Sequence, residues 1–460
     1  MARRRAGETR FHVFVSVLHR ASVGSMVNGN ERNRGRVIPT ASRRLQGGGL
    51  LELIYEPDTR STAFAVFRGG QLSVESFLET DTGERLVPIP ATNNLIKHKA
   101  LLLSEKPEPY GSSDELIAAI KEYLYRYVDL SERFQRIASY YILLTWVYDA
   151  FNELPYLRLR GDFGSGKTRA LVVIGSLCHK AFFASGASTV SPIFHTLDTF
   201  RGTLIFDEAD FRFSDEKSEL IKIFNNGNAK GFPVLRTAVS AKREFDPRAF
   251  AVFGPKIVAM RRSFEDQALE SRFLTEEMGQ RGLRNNIPIN LPDAQEEEAR
   301  SLRNRLLMYR FHTLDRIRID ESLVDPTLSP RLNQILIPLL SIIDDLRLQE
   351  EVRDSVKAFD QELSAERSAS AEAGVLEILA EILAEQNRAT VPVSEVTAAF
   401  VGRFGQEYER PITNRFIGGI LRKRLHLVTY KSHGVYVVPA TEKPKVNQLC
   451  IRYGVVDRGS

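Results

Sequence analysis

Cysteine is almost missing from this 460-residue chain: Cys178 and Cys450 are the whole supply, and no CxxC pair exists. Neither a disulfide framework nor a zinc ribbon is indicated, no clustered His/Cys spacing suggests a metal site, and a reduced, cytoplasmic setting fits. Long apolar runs are also lacking. YILLTWVYDAF (141–151) is too short to span a bilayer and reads as a buried helix, so no membrane partner is expected. Arg3–Arg5 before FHVFVSVL imitates a signal peptide, but the run is short, is broken by His12, and is followed by no clear small-residue cleavage site. Acidic residues are scarce at the start. Residues 1–46 hold ten arginines against Glu8 and Glu31, a charge of +8 that leaves −3 for the other 414 residues. The basic balance is therefore mainly a property of the leader. A nucleic-acid-binding arm, a disordered leader, and a true start at Met26 rather than Met1 all stay open.

What is present is a chain of ordinary globular composition, 43% hydrophobic and 26% charged, long enough for two or three domains. Composition shifts divide it into a basic disordered leader (1–48), a small β-rich region (49–103) and a helical connector (114–152). An α/β core (153–290), a helical stretch (291–360), a linker (361–374), a small α/β module (375–440) and a tail (441–460) follow. In the core, strands alternate with helices: YLRLR, TRALVVIGSL, FFASGAS, SPIFHTLDTF, TLIF. That order predicts a buried parallel sheet.

GDFGSGKT (161–168) matches G-x-x-x-x-G-K-[ST] in full and sits between an expected strand and an expected helix. Gly161, Gly164, Ser165 and Gly166 let backbone N–H groups approach phosphate oxygens. Lys167 is placed to contact the β- and γ-phosphates of ATP, and Thr168 to offer its hydroxyl to Mg²⁺. Forty residues on, TLIFDEADF puts Asp207 at a strand end, as a Mg²⁺ holder, with Glu208 beside it as the base for the attacking water. The letters D-E-A-D do not make a two-domain RNA helicase. Ser-Ala-Thr and His-Arg-x-Gly-Arg are absent and only one P-loop core is present, so Ala209 and Asp210 look incidental.

The series GDFGSGKT, SPIFHTLDTFRGTLIFDEAD, IFNNGNAKGFPVLR, FGPKIVAM and ALESRF resembles the AAA+-type P-loop ATPase domain of phage, plasmid and integrated-element primase–helicases. In layout it is similar to superfamily 3 and MCM-like replicative helicases. The resemblance covers roughly 150–350, with PRLNQILIPLLSI (330–342) fitting the lid. It implies a hexameric ring, with Arg272 of ALESRF acting on a neighbour's γ-phosphate. It also implies a β-hairpin projecting into a central channel, with arms 232–239 and 243–253. Lys242 and Arg243 at its tip, and Lys230 near it, are candidates to contact single-stranded DNA; a solvated basic turn is the competing reading. The strand KIVAM ends in Met260-Arg261-Arg262, where this group usually carries a polar sensor. Arg331 in the lid is a candidate second sensor.

At the C-terminal end, three helical segments and the alternating stretch HLVTYKSHGVYVVP resemble a winged helix. The third helix would expose Asn414, Arg415, Arg422, Lys423 and Arg424 to duplex DNA. Lys431 and His433 would lie on the wing, and His433 is more a turn residue than a ligand. A protein-contact role for this module is the alternative. The expected fold is thus α/β: an AAA+-like P-loop NTPase core with a helical lid, a small N-terminal α+β region and a C-terminal winged helix. The expected activity is that of a ring-forming, ATP-hydrolysing DNA motor. An ATP-switched initiator, helicase loader or regulator is the alternative, and an ATPase of a defence or transposition system acting on proteins is a third reading.

Overall fold

A computed structural model describes residues 36–207, 215–239, 245–264, 266–343, 346–368, 370–385, 388–408 and 411–455. It opens with β1 (Val37–Thr40), β2 (Ser42–Arg44), β3 (Leu50–Glu56), β4 (Ser61–Arg68), β5 (Gln71–Glu75), β6 (Leu78–Glu79) and β7 (Arg85–Pro88). The leader expected over 1–48 is therefore too long, because β1 and β2 lie inside it. Two of its arginines are placed by ion pairs, Arg43 with Glu84 at 3.0 Å and Arg44 with Asp315 at 3.3 Å.

Strands β2-β3-β4-β5 form an antiparallel sheet. Its alternation splits one strand between two cores: Leu50 and Ile54 of β3 join one hydrophobic cluster, Leu51 and Leu53 another. The N-terminal region is thus built into the cores of the rest of the chain. After the short helix α1 (Asn94–Lys97), residues 100–102 pair with the segment around Phe182: Leu102 N–H donates to Ala181 O (2.8 Å) and Phe183 N–H to Ala100 O (3.0 Å).

Two connector helices follow, α2 (Ser113–Tyr127) and α3 (Glu132–Val147). Ser112 and Glu115 form a reciprocal capping box on α2, and Ser131 caps α3 by accepting from Phe134 N–H. Every residue of α3 from Ala138 to Val147 is buried, so the apolar run there is an interior helix.

The core then runs β8 (Tyr156–Arg160), α4 (Lys167–Gly175), β9 (Phe182–Ser185), α5 (Val190–Phe200), β10 (Leu204–Asp207) and α6 (Asp215–Asn226). An antiparallel pair comes next, β11 (Val234–Val239) and β12 (Phe245–Phe250), then β13 (Lys256–Met260), α7 (Gln267–Glu270) and β14 (Phe273–Glu277). The five-stranded sheet has the order β14-β8-β13-β10-β9, and every pairing in it is parallel. Alternate residues serve opposite faces. Leu157, Leu159, Ile205, Ile257 and Ala259 pack with α3 and α4, while Tyr156, Leu204, Phe206, Val258 and Met260 pack with α5 and α6. A sheet covered on both sides explains why its strands are apolar on both sides.

Helices α8 (Asp293–Thr313), α9 (Pro330–Leu340) and α10 (Leu346–Ser368) pack against α2 and α3. The linker expected over 361–374 is a correction: α10 continues to Ser368, and α11 (Ala371–Ala384) begins two residues beyond the undescribed position 369. The terminal module adds β15 (Thr390–Pro392), α12 (Val393–Phe404), α13 (Asn414–Gly419) running into a π-turn over Ile420–Arg424, β16 (Tyr430–Ser432) and β17 (Val435–Pro439). Its sheet is antiparallel with the order β15-β17-β16. The expected tail over 441–460 is also corrected. Helix α14 (Lys443–Tyr453) packs on α11 and buries Val446, Cys450 and Tyr453.

A buried ionic cluster ties these parts together. Glu52 of β3 accepts from Lys180 Nζ at 2.6 Å and Arg310 Nε at 2.7 Å, with His179 Nε2 at 3.4 Å. Arg310 of α8 also forks onto Asp149 at 2.8 and 3.0 Å. Burial alone would raise the Glu52 carboxyl, but Lys180 and Arg310 hold it well below the ordinary carboxylate range. Four sequence segments meet in this one cluster.

Candidate nucleotide and nucleic-acid sites

The loop Gly161–Gly166 leaves the end of β8 and turns into α4. Gly164 (φ 77°) and Gly166 (φ 88°) are left-handed, a conformation that glycine adopts without strain. Gly161 answers a close approach: a β-carbon there would lie 2.6 Å from Met278 O. Lys167 opens α4 and arches back over the loop, where its Nζ donates to Gly161 O (2.7 Å) and Asp162 O (2.6 Å). Thr168 Oγ1 donates to Asp207 Oδ2 at 2.7 Å. The sheet order brings this about, since β13 lies between β8 and β10 and sets all three strand ends side by side. Gly161 N–H donates to Met260 O, the last residue of β13, and Arg261 beyond it lines the same cleft.

A loop of turned-in backbone, an ammonium over it, and a hydroxyl paired with a carboxylate fit a nucleoside triphosphate with Mg²⁺. The Thr168 and Asp207 oxygens are the hard donors that this ion takes.

The cleft above the loop holds about 740 Å³ and is walled largely by Glu276–Arg281, Leu283 and Ile289. Among the described residues, none of the expected lid, 291–360, lines it. The covering segment is instead held from two sides. Arg169 of α4 donates to Pro288 O and Ile289 O. Arg284 binds Asp129 at 3.1 Å and the carbonyls of Tyr125 and Val128. Phe163, Leu283 and Ile289 stand 90%, 56% and 80% exposed at this cleft, an apolar lining suited to a nucleobase. Burial raises the Glu276 carboxyl in its wall, although Ser131 donates to it from both N–H and Oγ–H. Nothing in the residue types of 276–289 marks them as a wall of this cleft; the parallel pairing of β14 with β8 brings them there.

Arg272 lies elsewhere. Its carbonyl accepts from Tyr156 N–H at the start of β8, four residues and roughly 13 Å of strand from the loop end. Its guanidinium donates to Asn225 Oδ1, and burial, then Arg331, lower its affinity for its proton. Arg331 donates to Ser271 Oγ at 3.3 Å. Both arginines therefore sit at the end of β14 away from their own loop, and Arg331 does not line the cleft. Neighbouring Glu270 is fixed by Arg158, a fully buried β8 residue, at 2.5 Å.

The expected hairpin arms are β11 and β12, in register from Val234↔Phe250 to Val239↔Phe245. Glu208, Lys242 and Arg243 lie outside the described residues. Lys230 is engaged at the hairpin base, where its Nζ donates to Asp149 O at 2.9 Å and lies 5.5 Å from the Phe253 ring centre.

In the terminal module Asn414 and Arg415 open α13, exposed, and Lys423 and Lys431 are exposed as well. Arg424, also expected to contact DNA, pairs with Glu372 of α11 at 2.5 Å. His433 has φ 47° and occupies the turn between β16 and β17.

No family model matches the chain, and no curated protein matches it. Solved structures similar in part include the apo A form of the NrS-1 C-terminal region (TM-score 0.35, 11% identity, covering 85% of this chain and 96% of that one). JCV helicase is another (TM-score 0.24, 16% identity, 55% and 62%). The Aeropyrum pernix ORC1 protein in complex with DNA is a third (TM-score 0.21, 13% identity, 70% and 92%). Likenesses this distant carry no functional argument. Among the described residues no helix is long and apolar enough to cross a membrane.

Proposed function

We propose that the chain is an ATP-hydrolysing, DNA-dependent motor, most simply a ring-forming helicase of a phage or other mobile element. The observation that carries the reading is the Thr168–Asp207 pair set beside a complete phosphate-binding loop. Lys167 exchanges its loop carbonyls for phosphate oxygens, and the loop N–H groups orient the triphosphate. Thr168 and Asp207 would hold Mg²⁺, which would supply charge neutralisation to the triphosphate. Glu208, next in sequence, orients and deprotonates the attacking water.

Two features support a ring. Arg272 cannot serve its own loop from the far end of β14, so the site is completed by a neighbour's Arg272. The β11–β12 hairpin gives the motor a part that can follow a strand through a central channel, and Lys242 and Arg243 stand between its two arms in sequence. The C-terminal module is read as a winged helix that docks duplex DNA. The second reading, an ATP-switched initiator or loader, uses the same residues without unwinding.

A strand-displacement assay separates the two readings. Wild type is expected to unwind with ATP, Glu208→Gln to bind but not unwind, and Lys242→Ala to hydrolyse ATP without unwinding. DNA-stimulated hydrolysis with no unwinding at any ring-forming concentration would leave only the switch.

A further inference from the structure

A recess of about 350 Å³ opens in the terminal module where the starts of α12 and α13 meet the β16–β17 hairpin. Ser394, Asn414, Arg415, Arg422, Val435 and Tyr436 line it, and among the described residues no carboxylate does. Its two arginines differ from most arginines of this chain. Among the described residues Arg415 has no ion pair or hydrogen bond, and Arg422 has a single long bond, to Thr429 Oγ1 at 3.4 Å. Arg424, two residues on, is by contrast neutralised by Glu372.

Arg422 is nevertheless held in place. Its guanidinium lies 5.1 Å from the Tyr436 ring centre and against bare backbone at Gly418, where a β-carbon would come within 3.2 Å of Nη2. A guanidinium held over an aromatic ring and against backbone loses less freedom when an anion arrives than one on a free stem. Two cations facing one concave space without a counter-charge repel each other until an anion enters. A planar guanidinium pair, a hydroxyl and an amide make a donor set for phosphate oxygens, and the exposed sides of Val435 and Tyr436 offer an apolar rest for a sugar.

We propose that this recess binds one phosphate group of a nucleic-acid backbone, held by Arg415 and Arg422 together. This rests on the reading of the module as DNA-binding and sharpens it. The recess grips backbone rather than bases, so its contribution is independent of sequence, while Lys423 and Lys431 act elsewhere on the duplex.

The test is fluorescence anisotropy of the full chain on a short duplex, over a series of salt concentrations, with thermal melting to confirm that each variant is folded. Each duplex phosphate neutralised contributes ~0.9 to the slope of log affinity against log salt. If one phosphate is shared, Arg415→Ala, Arg422→Ala and the double variant each lower the slope by about 0.9, and the double variant binds hardly more weakly than either single one. A slope loss of about 1.8 with additive effects means separate phosphates and overturns the shared site. Variants that bind like wild type overturn it too, while leaving the DNA-binding reading intact. Wild type that binds no duplex overturns both. Titration with inorganic phosphate at matched ionic strength separates the sources. Tight binding of free phosphate, lost in Arg422→Ala while duplex affinity is unchanged, assigns the recess to a small anion and overturns the backbone proposal.

Discussion

Thr168 Oγ1 donates to Asp207 Oδ2 at 2.7 Å, joining the first turn of α4 to the end of β10 across 39 residues of sequence. Under the proposed function these two oxygens would hold Mg²⁺, so removing either one strikes at hydrolysis more than at the fold. Asp207→Asn is expected to lower ATP hydrolysis by about 100-fold or more, with little change in melting temperature. A phosphate-release assay checks this, and a variant that keeps more than a tenth of the wild-type rate would sink the role.

Arg272 gives a test between subunits. Arg272→Ala is expected to lose roughly 1,000-fold in hydrolysis under conditions where rings form. Mixed with Asp207→Asn chains, it should regain part of that activity, because its intact loop then faces a neighbour's intact arginine. Mixtures that assemble but remain inactive would end the trans assignment.

The Arg158–Glu270 pair anchors the segment that carries Arg272. Both side chains are almost wholly buried, and Glu270 also accepts from Phe264 N–H. Removing the carboxylate strands a guanidinium inside the sheet. Glu270→Ala is therefore expected to cost about 3–5 kcal/mol in urea unfolding, and Glu270→Gln less. An alanine variant as stable as wild type would show that water reaches Arg158.

Acid should loosen the buried cluster around Glu52. Burial, and then Arg310, lower His179 from its usual 6.5 to about 4. Between those values the unfolded chain binds a proton that the folded chain refuses, so stability falls as pH falls, by up to about 3 kcal/mol. The depressed Glu52 carboxyl acts with the same sign at lower pH. Melting temperature is thus expected to drop from pH 7 to pH 4.5, and His179→Gln to flatten that drop. An equal drop in the variant would assign the acid limb to other groups.

Much of this was legible along the chain. GDFGSGKT carries its own geometry, because glycines at fixed offsets before a lysine leave few ways to turn a strand into a helix. The antiparallel pair over 234–250 was implied by the resemblance, and the buried helical run from 141 could be read from its apolar residues. The errors fell where sequence signals are weakest. A linker poor in large apolar residues turned out to be the end of α10, because a long helix needs only one apolar stripe. The N-terminal strands looked separable because their partners lie more than 100 residues away.

The sequence by itself determined the local chemistry: which loop turns on its glycines before a lysine, which acid ends a strand, where the cationic residues lie. The tertiary structure decided which of these meet. Strand order placed β13 between Gly161 and Asp207, and β14 carried Met278 and Gly279 back over the loop. The start of the same strand holds Arg272 at the end far from the loop, Arg331 of α9 bonds Ser271 beside it, and Glu372 of α11 pairs with Arg424. Such pairings depend on burial and register between segments far apart in the chain, and no spacing along one strand records them.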